Sequence, residues 1–199
     1  MSFITIEGGE GTGKSTLIRG LAEALKLRGE DVLLTREPGG TVGAEQIRDL
    51  LVKGDVNRWS PVTELLLLNA ARRDHVERVI EPALAQGTTV LCDRFVDSTL
   101  VYQGMNGVSI ELVSNLHNSV IGLWPDRTLI LDVPAEIGLK RAAERGGDDR
   151  FESMSLKFHT DVRDGFRALA DKHPDRCKII DGTQSIDAVL ASALSQLES

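Results

Sequence analysis

No uninterrupted apolar run in the chain approaches the ~20 residues that a membrane-spanning helix requires. Cysteine is scarce: Cys92 and Cys177 are the two in 199 residues, which excludes a disulfide framework and supplies no metal-ligand spacing. Aromatics are few, with 2 Trp, 1 Tyr and 5 Phe, too few for a platform that stacks single-stranded bases. Basic charge is in deficit. With 23 Lys+Arg against 30 Asp+Glu the net charge is −7, which argues against general binding of a nucleic-acid backbone. A small anion can still be held where a few arginines converge. The first residues, Met1 to Ile6, carry no basic segment and read as a core strand, so no signal peptide is visible and a cytoplasmic protein is expected. What is present is ordinary globular composition, 41% hydrophobic and 27% charged. At this length a single domain, 1–199, is the default, burying roughly 70% of its unfolded surface.

Short β-branched runs alternate with longer helical patterns. Residues Phe3 to Glu7, Asp31 to Arg36, Thr88 to Asp93, Thr128 to Asp132 and Lys178 to Asp181 read as strands, several apolar throughout, as strands covered on both faces are. Helices are expected over Lys14 to Arg28, Glu45 to Val52, Ser60 to Gln86, Ser109 to Ile121, Ala135 to Arg145 and Ser185 to Leu197. Ser60-Pro61 supplies a cap with proline at the first helical position, and Pro82 should kink or end that helix. The order predicts an α/β fold: a five-stranded parallel sheet with helices on both faces. Glu144 to Ser155, charged and glycine-bearing, reads as a mobile flap.

Between the first strand and the first helix stands Gly8-Gly9-Glu10-Gly11-Thr12-Gly13-Lys14-Ser15, followed by Thr16. This is the G-x-x-x-x-G-K-[ST] phosphate loop in the strand–loop–helix context that gives it meaning. Glycines let backbone N–H groups wrap a phosphate, and the helix end adds its positive dipole. Lys14 is expected at the β- and γ-phosphates of ATP, and the Ser15 hydroxyl on Mg²⁺. The Asp-x-x-Gly and Asn-Lys-x-Asp strings of a GTPase switch are absent. A small kinase is the reading that remains, with an acceptor site still to be found.

Asp93-Arg94-Phe95, then Ser98-Thr99 and Tyr102-Gln103, follow the third strand; Thr35-Arg36-Glu37-Pro38-Gly39-Gly40 closes the second. Strand carboxyl ends face the ligand crevice of an open α/β sheet, so both segments belong beside the phosphate loop. Asp93 suits a second carboxylate near Mg²⁺, and Arg36 with Arg94 suits a clamp on an acceptor phosphate. A neutral nucleoside acceptor would instead need a general base, for which Glu7 and Glu37 are the available carboxylates. A kinase for another nucleotide and a nucleotide-binding regulator are the other readings. His75, His117, His159 and His173 show no metal spacing and are expected on helix surfaces.

The phosphate loop, Thr-Arg-Glu-Pro-Gly-Gly, Asn69-Ala70-Ala71-Arg72 and Asp-Arg-Phe…Ser-Thr…Tyr-Gln-Gly, in this order and continuing to Asp181-Gly182-Thr183, resemble the thymidylate kinase family. The resemblance implies a P-loop kinase fold, transfer of the ATP γ-phosphate to dTMP with Mg²⁺, and a homodimer. It places Glu10 at the sugar 3′-hydroxyl, Arg36 and Arg94 on the dTMP phosphate with Pro38 and Ser98 beside them, and Arg72 at the base edge with Thr99 and Gln103. Tyr102 falls where a ribose 2′-hydroxyl would project. Leu68 stands where family members commonly carry a ring on thymine, giving up a stacking contribution of ~0.5–1.5 kcal/mol. The flap resembles the family's lid, around 141–155. No arginine occupies the phosphate loop, so catalytic charge falls to the lid's Arg145 and Arg150, with Arg141 near ATP. In this the chain resembles the family's lid-arginine, bacterial-type form.

Overall fold

The computed structural model describes residues 2–53, 58–145 and 154–197, without the side chain of Arg145. Five parallel strands, β1 (Phe3–Glu7), β2 (Val32–Arg36), β3 (Thr89–Asp93), β4 (Arg127–Asp132) and β5 (Cys177–Asp181), form one sheet in the order β2-β3-β1-β4-β5. Alternation along each strand feeds two cores. Phe3, Val90, Cys92 and Ile130 point into one; Ile4, Ile6, Leu91, Leu129 and Leu131 point into the other. The smaller core is closed by α1 (Lys14–Leu27) and α9 (Ile186–Ser195). The larger is closed by α3 (Pro61–His75), α4 (Glu81–Ala85), α5 (Val96–Met105), α6 (Ile110–Val120) and α8 (Leu156–Lys172). Helices α2 (Val42–Val52) and α7 (Ala135–Arg145) complete the frame. The strands and the two-faced sheet stand as expected, with shifts of one residue at the ends.

Three departures have physical causes. The long helix expected over Ser60 to Gln86 runs as α3, one π turn over Val76–Ile80, and α4. Pro82 lacks an N–H and its ring crowds the carbonyl one turn back, and a widened turn is a usual way to absorb that. Helix α5 buries polar residues, Asp97, Thr99 and Gln103, beside Val96, Leu100 and Val101, so its hydrophobic residues show no helical period. Helix α8 does carry the period, in Val162, Phe166 and Leu169, diluted by charged neighbours, and begins where Ser155 accepts a hydrogen bond from the Phe158 N–H.

Strands β3 and β4 lie on either side of β1, so the chain reverses its winding at the carboxyl end of β1. A ligand crevice opens at such a point. A buried polar tie holds α5 there. Asp97 accepts from Thr128 on β4 at 2.8 Å and from both terminal nitrogens of Arg176, just before β5, at 2.6 and 2.8 Å.

Candidate active site

A cleft of about 590 Å³ opens above the strand ends, lined by Glu10 to Thr16, Arg36 to Pro38, Leu68, Arg72, Asp93, Arg94, Ser98, Thr99, Tyr102 and Gln103. That volume suits small-molecule ligands. On one side the phosphate loop leads into α1. A Cβ on Gly11 would overlap the Gly138 carbonyl of α7, so this loop packs backbone to backbone against that helix. Thr12 Oγ donates to the Gly9 carbonyl, and Lys14 Nζ donates to the carbonyls of Gly8 and Gly9 at 3.2 and 2.7 Å. Burial first, and then the Arg94 charge, push the Lys14 ammonium down to about 8. Ser15 is exposed at the helix start and shares the cleft with half-buried Asp93. Arg141, on α7, donates to the Gly182 carbonyl at 2.9 Å and does not line this cleft.

On the other side, Arg36 and Asp93 are register partners across β2 and β3, which puts Arg36 and Arg94 on one rim. Arg36 meets Glu45 at 3.2 Å and stays largely exposed. Arg94 adopts φ +68°, a left-handed conformation unusual for a side-chain-bearing residue. Its Nη1 donates to the Gly8 carbonyl and to Ser98 Oγ at 3.1 and 3.0 Å, and its Nη2 reaches Glu10 at 2.6 Å. The guanidinium also lies 5.4 Å from the Tyr102 ring centroid. Spacings of three and four on α5 bring Ser98, Thr99, Tyr102 and Gln103 to one side of the helix. Tyr102 is half-buried, and burial pushes its hydroxyl up to about 12. Arg72 is 2% exposed, with Nε on Glu37 at 2.6 Å and Nη2 on Thr99 at 2.9 Å.

A family model described as thymidylate kinase matches residues 6–193. The chain is 58% identical to the thymidylate kinase of Caulobacter vibrioides, covering 96% of this chain and 92% of that one, and 54% identical to that of Dinoroseobacter shibae, covering 98% and 95%. The crystal structure of thymidylate kinase from Ehrlichia chaffeensis superposes with a TM-score of 0.79 at 38% identity, covering 98% of each chain. The chain belongs to the thymidylate kinase family. Its P-loop kinase fold follows.

Within this family member the cleft brings together every donor-loop residue from Glu10 to Thr16 and every residue expected at the acceptor. Arg150 and the side chain of Arg145 lie outside the described residues. Three histidines depart from expectation. His75 and His117 are fully buried and His159 is 6% exposed; only His173, after α8, is exposed. Each of the three sits on the inner face of its helix. His117 donates from Nε2 to the Leu123 carbonyl, and burial drives it down to about 4, so it stays neutral. Neither carboxylate considered as a general base is available for that work. Glu37 is held by Arg72 and His75. Glu7 accepts from the N–H groups of Phe95 and Ser98 and from the Ser98 hydroxyl. Burial, then Asp97, pushes Glu7 up to about 7 against the opposing pull of Arg94. Arg48, donating to the Pro38 carbonyl at 2.8 Å, also lines the cleft. Sequence reasoning missed it. The signal was its place one turn behind Glu45 on the helix that follows the arginine-bearing turn.

Proposed function

We propose that this family member transfers the γ-phosphate of ATP to the phosphate of dTMP, giving dTDP and ADP. The observation that carries the reading is Arg94, fixed between the phosphate loop, Glu10 and α5 in the same cleft as Lys14. A positive fork beside a donor loop fits a phosphate acceptor. A neutral nucleoside acceptor would need a general base, and both carboxylates weighed for that task are engaged elsewhere.

In the transfer, an ionised dTMP phosphate oxygen attacks the γ-phosphorus in line. The bond to the β,γ-bridging oxygen breaks, and ADP leaves with that electron pair. Lys14 and the loop N–H groups neutralise the donor side, Arg36 and Arg94 the acceptor side. Glu10 takes the sugar 3′-hydroxyl. Ser98 and Pro38 flank the phosphate, Leu68 covers the base, and Arg72, Thr99 and Gln103 read its edge. Arg145 and Arg150 meet the transferring group from a lid around 141–155, and Arg141 supports ATP. Ser15 and Asp93 are oxygen donors on one cleft, and the described residues hold no cluster of three ionisable ligands. That donor set fits Mg²⁺, which uses one or two protein oxygens together with substrate phosphates. Ser15 and Asp93 would hold the ion, which would supply charge neutralisation to the donor phosphates. Turnover is expected to stop on chelation with EDTA and to return with added Mg²⁺; turnover that persists after chelation contradicts the metal assignment.

The chain is read as a single kinase domain, expected in the cytoplasm and working as a homodimer. Apolar residues left exposed on three neighbouring helices support the dimer: Leu50 on α2, Val62 and Leu66 on α3, Ile110 and Leu112 on α6. Neither nucleic acid nor membrane is a partner in this reading.

Two further outcomes are expected. ATP phosphates bind the charged form of Lys14, so kcat/KM for ATP should fall as pH rises above about 8, where the free ammonium loses its proton. Calorimetry at pH 8.5 in buffers of different ionisation enthalpy should register proton uptake on ATP binding; a value of zero contradicts the assignment. For Tyr102, exclusion of a ribose 2′-hydroxyl by the ring predicts that Tyr102→Ala raises activity on ribothymidine monophosphate relative to dTMP, while Tyr102→Phe does not. A steric difference of ~1–3 kcal/mol corresponds to a change of ~10–200-fold in the kcat/KM ratio. An unchanged ratio in Tyr102→Ala returns the ring to a packing role.

A further inference from the structure

We propose that His75 and Glu37 are positioning residues that fix Arg72 so that its remaining terminal nitrogen, Nη1, reads a carbonyl on the acceptor base. The proposal rests on the dTMP reading above. Four side chains form a chain of hydrogen bonds from β2 through α3. Thr35 Oγ meets His75 Nε2 at 2.7 Å, His75 Nδ1 meets Glu37 Oε1 at 3.0 Å, and Glu37 Oε2 accepts from Arg72 Nε at 2.6 Å. Arg72 Nη2 then donates to Thr99 on α5 at 2.9 Å. The direction of the chain follows from chemistry. The Glu37 carboxylate bridged by Arg72 accepts only, so Nδ1 carries the hydrogen facing it.

The chain is held from every side. His75 is fully buried, and the absent Cβ of Gly40 leaves the space its ring fills. The Arg72 guanidinium lies 4.9 Å from the Phe95 ring centroid. Nε, Nη2 and one face of the guanidinium are thus committed. Among the described residues Nη1 is buried without a hydrogen-bond partner, on a residue that lines the cleft. A buried cationic N–H left unpaired is costly, and an acceptor arriving in the cleft removes that cost. His75 keeps this donor in place by occupying Glu37 Oε1. Released from His75, that oxygen can turn toward the guanidinium and form the two-oxygen pair that carboxylates favour with arginine. The pair draws Arg72 away from Thr99 and from the base.

Because guanidinium nitrogens donate only, the site selects a carbonyl and rejects an amino group at that position. A 4-keto pyrimidine satisfies it; a 4-amino pyrimidine sets donor against donor.

The test compares His75→Gln with His75→Asn. Glutamine reaches the Thr35 side and drops the bond to Glu37. Asparagine places its amide N–H where Nδ1 stood and keeps that bond. The expected result for His75→Gln is about a tenfold or larger rise in KM for dTMP. It also predicts a similar fall in the dTMP-to-dCMP ratio of kcat/KM, with kcat at saturation and KM for ATP within about twofold of wild type. His75→Asn should recover most of the loss. Wild-type KM and ratio in a folded His75→Gln protein overturn the proposal. So does equal impairment of both variants accompanied by a changed KM for ATP, which marks a packing histidine. If His75→Gln does not fold, Thr35→Val frees the far ring nitrogen at constant volume and carries the same expectation, a rise in KM for dTMP supporting the relay and an unchanged KM refuting it. A wild-type protein that accepts dCMP as readily as dTMP overturns the substrate reading itself, before any variant is made.

Discussion

Replacing Arg94 by glycine should lower kcat/KM for dTMP by about 10³-fold or more while leaving the protein at least as stable as wild type. The loss follows from where the guanidinium sits. It binds the phosphate-loop carbonyl of Gly8, the Ser98 hydroxyl and the Glu10 carboxylate, so one side chain ties the donor loop to α5 beside the proposed acceptor-phosphate position. Removing one preorganised charge aimed at a phosphoryl-transfer site costs on the order of 10³ in rate. The stability expectation comes from the backbone. A φ of +68° at a residue bearing Cβ stores on the order of 1–3 kcal/mol, which glycine does not incur. Against this gain stands the loss of the partly buried pair with Glu10, whose side chain is 14% exposed. Arg94→Ala keeps the strained backbone and loses the same pair, so it should be the less stable of the two and equally inactive. A folded Arg94→Gly protein turning over within about tenfold of wild type contradicts the acceptor-phosphate role.

The second large effect belongs to the lid. Arg145→Ala should lower kcat by about 10³-fold and shift KM for dTMP far less, because an arginine supplied to the transferring group acts chiefly in the transition state. The motive is a deficit. Positions 9 to 12 of the loop are Gly, Glu, Gly and Thr, so no arginine there meets the charge that develops on the γ-phosphate. Lys14 alone is insufficient if the charge spreads over three equatorial oxygens. Helix α7, which ends at Arg145, packs against the loop at Gly11 through Gly138 in its first turn and the Ala142 backbone one turn later, so the helix is anchored to the donor side. If Arg145→Ala is near normal and Arg150→Ala is inactive, the role belongs to Arg150. If both are near normal, the lid hypothesis fails.

The parts of this molecule that sequence made legible are those whose signal is local. The phosphate loop announces itself by spacing, and the strands by β-branched runs, because a strand buried on both faces needs no partner to be recognised. Arg36 and Arg94 were legible because each ends a strand. Helix α5 was not: with Asp97, Thr99 and Gln103 buried beside Val96, Leu100 and Val101, burial does not follow polarity and leaves no amphipathic period. The histidines failed for a related reason. His75 looks like a surface residue at the end of an arginine-rich helix until Thr35 on β2 and Glu37 just after it meet its two nitrogens. Glu37 itself reads as a free carboxylate until Arg72, 35 residues later, reaches it. Long-range polar pairing leaves no periodic trace, and the inner layer of the proposed base site consists of it.

The proposed acceptor is the monophosphate of a 5-methyl, 4-keto deoxypyrimidine. The most direct measurement is ADP release with saturating ATP and Mg²⁺ across dTMP, dUMP, dCMP, dGMP and thymidine, read as kcat/KM for each. The account predicts dTMP first, dUMP weaker, dCMP and dGMP lower by two orders of magnitude or more, and no turnover with thymidine, which offers no phosphate to Arg36 and Arg94. Turnover of thymidine comparable to dTMP, or dCMP and dGMP used as well as dTMP, contradicts it.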